Sequence, residues 1–177
     1  MSRKVILYIA SSLDGYIAGE NDDLSFLAAV HKEGEDYGYH AFIESVDTVI
    51  LGRKTYQWVM GQVATFPHAD KTSYILTRTP RPSIGTTHFY TGDPGELIRN
   101  LKSEPVAHIF CDGGAEVVHT LMKENLIDEI ILSVIPVLLG KGIQLFKDGR
   151  PELPLRLLSC KQFDTGLVQL HYAHKNT

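Results

Sequence analysis

Cysteine is nearly absent from the chain. Its 177 residues hold two, Cys111 and Cys160, at no spacing that suggests a metal or redox motif. Both are expected as free thiols buried in a core. Positive charge is not in excess either: 17 Lys and Arg stand against 21 Asp and Glu, for a net charge of -4. No broad basic field exists to hold a phosphodiester backbone, so no nucleic-acid partner is expected. No apolar run approaches the roughly 20 residues that cross a bilayer, so no membrane partner is expected. The glycine pattern GxGxxG is missing. A P-loop is excluded too: Gly52-Arg53-Lys54-Thr55 resembles its end, but Thr48 and Arg53 stand where that motif needs glycine. No His-x-Glu followed by Pro-Cys-x-x-Cys is present, which excludes a zinc deaminase site. The 8 histidines do not cluster at ligand spacings, and His171 and His174, three apart on one strand, point to opposite faces. No metal is expected.

What the chain does have is the composition of a globular domain, with 44% hydrophobic and 21% charged residues. No repeat, low-complexity tract or linker divides it, so residues 1–177 are expected to form a single domain. Val5 to Ala10 has the look of a short signal core. It runs on into Ser-Ser-Leu-Asp-Gly without a cleavage site, however, and is read as the first strand of a cytoplasmic protein.

Strand-like and helix-like segments alternate along the chain. Strands are expected at Lys4–Ala10, Asp47–Leu51, Lys71–Thr77, Thr86–Tyr90, Val106–Cys111 and Ile127–Val137, where Pro136 marks an edge or an end. Residues 11–27 read as a loop. Helices are expected at Glu35–Ser45, Thr55–Met60, Pro94–Lys102 and Ala115–Glu124, the last with Val117, Val118, Leu121 and Met122 on one side. Arg156–Phe163 and Leu167–Lys175 flank Asp164-Thr165-Gly166 as a hairpin. The order predicts an α/β fold with a mostly parallel sheet ending in an antiparallel hairpin.

Three strand ends share one chemistry. The second gives Gly52-Arg53-Lys54-Thr55, the third Thr77-Arg78 and the fifth Asp112-Gly113-Gly114-Ala115-Glu116. Glycines admit a close backbone approach, and the amides that follow open helix N-termini suited to anions. A lone Gly-Gly is usually plain turn geometry; the combination is what points to a nucleotide. If the strands are neighbours, the glycine turns would hold a pyrophosphate. Arg53, Lys54 and Arg78 would then hold a third phosphate, favouring NADPH over NADH.

Together these segments resemble a known family. Ser12-Leu13-Asp14-Gly15-Tyr16-Ile17-Ala18-Gly19 is similar to the first loop of the reductase domain of bacterial riboflavin-biosynthesis deaminase-reductases and their stand-alone relatives. Val49-Ile50-Leu51-Gly52-Arg53-Lys54-Thr55-Tyr56 resembles that group and dihydrofolate reductase alike. Asp112-Gly113-Gly114-Ala115, Leu126-Ile127-Asp128-Glu129 and Pro136-Val137-Leu138-Leu139-Gly140-Lys141-Gly142 follow in the order of the reductase domain. The resemblance implies a dihydrofolate-reductase-like three-layer fold, with a central mixed, mostly parallel sheet and NADPH across its strand ends. It implies that Gly52, Arg53, Lys54 and Thr55 line the cofactor phosphates and that Thr77 and Arg78 lie near the adenosine ribose. Asp112, Gly113, Gly114, Ala115 and Glu116 would form the pyrophosphate turn, with a cis Gly113-Gly114 bond as in dihydrofolate reductases. Ala10 and the loop from Asp14 through Ala18 and Gly19 would cover the nicotinamide. A homodimer is also implied.

Two acids are candidates at the reacting centre. Asp14 matches the family pattern, or else stabilises its own Asp-Gly turn. Asp36 matches the carboxylate that contacts the pterin in dihydrofolate reductases, or else is a carboxylate favoured at a helix start. Tyr16, Phe26, Trp58 and Phe66 are expected mainly as core, with an aromatic cleft as the other reading. The activity implied is NADPH-dependent reduction of a small heterocyclic substrate, as in 5-amino-6-(5-phosphoribosylamino)uracil reductase. Dihydrofolate reductase activity and a non-catalytic NADPH-binding protein are the alternatives.

Overall fold

The structure is a computed structural model that describes residues 3–175. Its frame is an eight-stranded sheet in the order β5-β4-β3-β6-β1-β7-β10-β9. The strands are β1 (Val5–Ser12), β3 (Val46–Gly52), β4 (Thr72–Leu76), β5 (Thr87–Tyr90), β6 (His108–Gly113), β7 (Glu129–Ile135), β9 (Leu155–Gln162) and β10 (Val168–His174). Pairing from β5 through β7 is parallel throughout, whereas β10 runs antiparallel to β7 and β9 antiparallel to β10. This is the mostly parallel sheet with a terminal hairpin that the segment order predicts. Pro136 ends β7, which lies inside the sheet rather than at its edge.

The inner strands form because their side chains alternate between two cores. Val5, Leu7, Ile50, Ile109 and Cys111 face one side, packed against α3 (Pro94–Lys102) and α4 (Ala115–Lys123). Ile6, Val49, Leu51, Ile75 and Phe110 face the other, against α1 (Tyr39–Glu44) and α2 (Arg53–Gln62). The expected apolar faces of α3 (Leu97, Ile98, Leu101) and α4 (Val117, Val118, Leu121, Met122) are buried. Helices on both faces of one sheet give the three layers.

Four sequence expectations change. The helix expected over Glu35–Ser45 begins only at Tyr39, because Tyr37 (φ 56°) and Gly38 (φ 83°) take left-handed backbone conformations that interrupt a right-handed helix. The loop expected over 11–27 contains the end of β1, the strand β2 (Tyr16–Ala18) and two short 3₁₀ turns, Glu20–Asp22 and Ser25–Val30. Strand β2 pairs with β8 (Ile143–Gln144) in a second, two-stranded sheet. Cys111 is buried, but Cys160 is exposed, because β9 is the outermost strand with all eight of its residues exposed. Phe26 and Phe66 are core residues as expected, whereas Trp58, on the outer side of α2, is 41% exposed.

The two small strands are tied by close packing. Gly142 sits at φ +141°, and a Cβ there would fall 2.1 Å from the Ala18 carbonyl oxygen, so only glycine lets the two backbones meet. Lys141 pairs with Glu20 at 2.6 Å across the same junction.

Candidate functional site

Because β4, β3, β6, β1 and β7 are parallel, their carboxyl ends share one rim of the sheet. The residues of interest follow from that topology. Gly52 ends β3 and Gly113 ends β6. The strands are neighbours, with Leu51 in register with Gly113. Strand β4, on the other side of β3, places Leu76 opposite Gly52, so Thr77 and Arg78 emerge beside Arg53. The three turns that the sequence singled out therefore converge on one stretch of rim.

Gly113 has φ +97° and its bond to Gly114 is cis. That backbone conformation suits glycine. The Gly114 amide donates to Thr55 Oγ1 at 3.0 Å, which ties the β6 turn to the first turn of α2. Helices α2 and α4 start side by side, at Gly52 and Gly114, and among the described residues neither start has a side chain capping its amides. By contrast, Asp93 at the start of α3 accepts a hydrogen bond from the Glu96 amide at 2.7 Å. Two adjacent uncapped helix starts present N–H donors and the positive ends of two dipoles to the same place. Around them stand Arg53, held by Gln57 at 2.9 Å, and Lys54 and Arg78, exposed and without an ion-pair partner among the described residues. Glu116 is paired with Lys147. Ala115 is buried at the head of α4. This donor set fits a multiply charged anion such as a dinucleotide phosphate.

Further along the rim, β1 and β7 border a cleft of about 440 Å³ lined by Tyr8, Ala10, Asp36, Tyr37, Tyr39 and Ser133, among others. Ala10 thus lies between the two candidate regions, opposite Ser133. Ala18 is buried, and the Gly19 amide donates to the Asp23 carbonyl at 2.8 Å. Tyr8 Oη reaches the Tyr37 carbonyl at 3.0 Å, and Gln169 joins Tyr8, Tyr37 and Ser133 from β10. Burial raises the Tyr8 phenol, and burial followed by the nearby Asp112 charge pushes Tyr39 up to about 12.

The two candidate acids are both engaged by the protein. Asp14 accepts hydrogen bonds from Ser12 Oγ at 2.6 Å and from the Leu139 and Gly140 amides at 3.0 and 2.7 Å. The Ser12 hydroxyl first, then these amides, lower its carboxyl to about 2. It fastens the first loop to the segment that follows β7. Asp36 accepts from the Gly38 and His40 amides at 2.8 and 2.9 Å, and the His40 bond, then the Gly38 bond, holds its carboxyl below the usual range. It borders the cleft, yet both its oxygens serve the start of α1.

Asp112 is different. Among the described residues its carboxyl accepts no hydrogen bond, and burial pushes it up to about 6. Sequence reasoning placed Asp112 in the pyrophosphate turn and missed its isolation. It also missed the tyrosine-lined cleft and the β2–β8 sheet. Tyr8, two residues before Ala10 on β1, was the available signal for the cleft, since period-two alternation puts both on one face. Lys141 is paired with Glu20, and Arg3 and Lys4 lie at the opposite rim. Among the described residues no group of three or more His, Cys, Asp and Glu is placed to hold a metal ion, and no helix is long and apolar enough to cross a membrane.

The strand order, the helices on both faces and the glycine turns at one rim define a protein of the dihydrofolate-reductase-like fold. The chain belongs to the RibD C-terminal domain family, which it matches over residues 3–169. It is 47% identical over 174 residues to the uncharacterised protein YwjB of Bacillus subtilis, covering 97% of this chain and 98% of that one. A protein from Shewanella sp. PV-4 ascribed to riboflavin biosynthesis superposes with a TM-score of 0.88 at 28% identity, over 99% of both chains. The Thermotoga maritima diaminohydroxyphosphoribosylaminopyrimidine deaminase/5-amino-6-(5-phosphoribosylamino)uracil reductase gives a TM-score of 0.73 at 14% identity, with 98% of this chain covering 57% of that one. Dihydrofolate reductase from Enterococcus faecalis, complexed with NADP(H), gives 0.65 at 15% identity over 99% of both. These last two likenesses concern the fold.

Proposed function

We propose that this chain is an NADPH-dependent reductase of a small heterocyclic substrate, similar to 5-amino-6-(5-phosphoribosylamino)uracil reductase. The observation that carries this reading is the pair of uncapped helix starts at Gly52 and Gly114 on neighbouring strands, flanked by Arg53, Lys54 and Arg78. Family membership and the NADP(H) held by the Enterococcus reductase support the cofactor.

On this reading the amides after Gly52 and Gly114, with Thr55, Ala115 and Glu116 beside them, bind the pyrophosphate. Lys54, Arg53 and Arg78 bind the additional phosphate, for which guanidinium groups are suited. Thr77 lies by the adenosine ribose. Ala10, Ala18 and Gly19 border the nicotinamide, and Asp14 holds that loop in place rather than touching substrate. The cofactor supplies a hydride when bound. The tyrosine-lined cleft holds the substrate and keeps water from it, and Asp36 fixes the wall formed by α1. The protein works in the cytoplasm.

It works there as a homodimer. Strand β9 supports this, because among the described residues its outer edge is unpaired, and Leu155, Leu157 and Leu158 are 38%, 50% and 39% exposed. An edge of that kind is normally covered. Sedimentation of the wild type and Leu157→Asp tests it: a wild-type monomer, or a variant dimer as tight as wild type, would refute this interface.

Isothermal titration with NADPH, NADP⁺ and NADH tests the cofactor. Binding of NADPH ahead of NADH is expected, and no binding of any of them would end the reading. Loss of NADPH absorbance is then followed with the ribosylaminopyrimidine phosphate and with dihydrofolate. Turnover of the first is the expected result. Tight cofactor binding with neither substrate consumed would point instead to a protein that binds the nucleotide without reducing either compound.

A further inference from the structure

The floor of the tyrosine-lined cleft is made of neutral groups. It is the face of the sheet that carries Tyr8 on β1, Ser133 on β7 and Gln169 on β10. Ser133 stands in register with Ala10 on one side and with Gln169 on the other. Ala10 is too small to cover its neighbour, so Ser133, at 5% exposure, still borders the cleft.

One carbonyl orders these groups. The Tyr37 carbonyl accepts from Tyr8 Oη at 3.0 Å and from Gln169 Nε2 at 3.0 Å. A carbonyl can only accept, so the Gln169 amide nitrogen must face it. The same nitrogen donates to Ser133 Oγ at 3.1 Å, with Tyr8 Oη at 3.2 Å as its third contact. Tyr8 thus gives its one proton to Tyr37, and Ser133 Oγ receives one from Gln169. The Ser133 hydroxyl proton is the donor left over, with no acceptor among the described residues. Tyr37 is itself fixed, because its Oη donates to the Val30 carbonyl at 2.5 Å and meets Thr165 Oγ1 at 2.9 Å. The frame around the leftover donor is set before any ligand arrives.

Charge is the second observation. Of the side chains lining the cleft, Lys32 is paired with Asp164 at 2.6 Å, Glu35 and Asp36 are carboxylates, and His31 is exposed. Burial raises the Tyr8 phenol, and burial, then the Asp112 charge, pushes Tyr39 up to about 12, so both rings stay neutral. A phosphate moved into the cleft would meet carboxylates and, among the described residues, no unpaired lysine or arginine. It would lose water without gaining a counter-ion. A flat uncharged ring meets tyrosine side chains instead.

Resting on the reading given above, we infer that Ser133 selects the substrate: its hydroxyl donates to a carbonyl oxygen of an uncharged flat ring, and the cleft reads that ring and not the phosphate attached to it. The uracil ring of the proposed substrate offers two such oxygens. A buried hydroxyl that donates to one of them rejects a ring lacking it, because the donor is then left unpaired. The phosphate remains in water and adds nothing to selection.

Titration calorimetry on the NADP⁺-loaded full chain tests this, with 5-amino-6-(ribosylamino)uracil as the free riboside and as its 5-phosphate. Wild type should bind the phosphate no more than about fivefold tighter than the riboside; a larger preference overturns the inference. Ser133→Ala should weaken both by roughly five- to tenfold, and unchanged affinity overturns it equally. Two analogues of the riboside, each lacking one ring carbonyl, separate recognition from a structural role. One of them should bind wild type and Ser133→Ala alike, whereas a serine that merely holds Gln169 in place would make the variant weaker toward both. If Ser133→Ala does not fold, wild type decides alone: loss of affinity for one analogue, with no preference for the phosphate, supports the role. Equal affinity for the riboside and both analogues refutes it. Binding of NADP⁺ with no binding of either pyrimidine removes this role and leaves the cofactor reading standing. Failure to bind NADP⁺ or NADPH removes both.

Discussion

At the amino rim of the sheet, charged groups satisfy one another. Arg3, buried at 3% exposure, donates to Asp47 at 2.5 Å, Glu104 at 3.0 Å, Thr48 and the Leu101 carbonyl, and among the described residues its Nε has no partner. Asp128 takes both a bidentate bond from Lys102 at 2.8 Å and the Val5 amide. Burial works against the charge of Glu129, yet Lys4 and His171 outweigh it and hold that carboxyl below its usual range. At the carboxyl rim, among the described residues, the same sheet leaves two helix starts without a side-chain cap, Lys54 and Arg78 without a salt bridge and one carboxyl without a donor. Polar groups that could have been satisfied internally, as at the other rim, instead face outward to a common space. The contrast separates residues that hold the fold from residues available to a ligand.

The sharpest way to break that comparison is to exchange the expected consequences of substitution at the two rims. Arg3→Met should destabilise the protein by about 2–3 kcal/mol, because it leaves Asp47, Thr48 and the Leu101 carbonyl without their shared donor. Urea unfolding reads the loss directly. Affinity of the folded variant for NADPH should be unchanged, and a large fall in that affinity would show that the amino rim is not purely structural. Arg78→Ala, at the carboxyl rim, should do the reverse. It should weaken NADPH by about tenfold, near 1.4 kcal/mol, with little effect on NADH or on unfolding. Arg53→Ala should act in the same sense but less, since its guanidinium is already held by Gln57. Equal losses for both cofactors would mean that neither side chain meets the additional phosphate.

A smaller effect sharpens the meaning of the uncapped helices. Asp93→Ala removes the cap of α3 and should cost about 1 kcal/mol in unfolding free energy, with no change in cofactor binding. Adding NADPH should not recover the lost stability beyond the shift it gives wild type. If it did, α3 would be coupled to the phosphate site, and the division between capped and uncapped helices would lose its force.

Much of this division was legible in the sequence, because both its elements are local. Period-two alternation gives the strands, and Gly-rich strand ends followed by helix-forming residues give the turns. That Gly52 and Gly113 are neighbours depends on strand order, which the resemblance implied and the β3–β6 register fixes. Other features were hidden for identifiable reasons. Strands β2 and β8, of three and two residues, are too short to show any periodicity. The late start of α1 follows from left-handed backbone at Tyr37 and Gly38, and tyrosine gives no warning of it. The exposure of Cys160 depends on nothing packing outside β9, and that of Trp58 on how α2 is turned, so neither is a property of the residue itself. The isolation of Asp112 is likewise the sum of what its neighbours in space fail to donate.

The smallest effect is the most local. Asp14, like Asp36 and Glu116, is engaged by the protein itself at the carboxyl rim, and so it ought to behave like an amino-rim residue. Its carboxylate joins Ser12 to the amides of Leu139 and Gly140, two loops that are 125 residues apart in sequence. Asp14→Asn keeps the shape but gives up the charge that those donors favour, so hydrogen exchange should quicken in residues 13–19 and 137–142 together, with little change in global unfolding. The pH dependence has a definite sign. The folded-state value, near 2, is below that of an ordinary aspartate, so the contribution is complete above about pH 4 and is lost as pH falls toward 2. Wild type should therefore lose protection in both loops over that acid window, while Asp14→Asn shows no such step. If protection faded in one loop only, Asp14 would not be the tie between them.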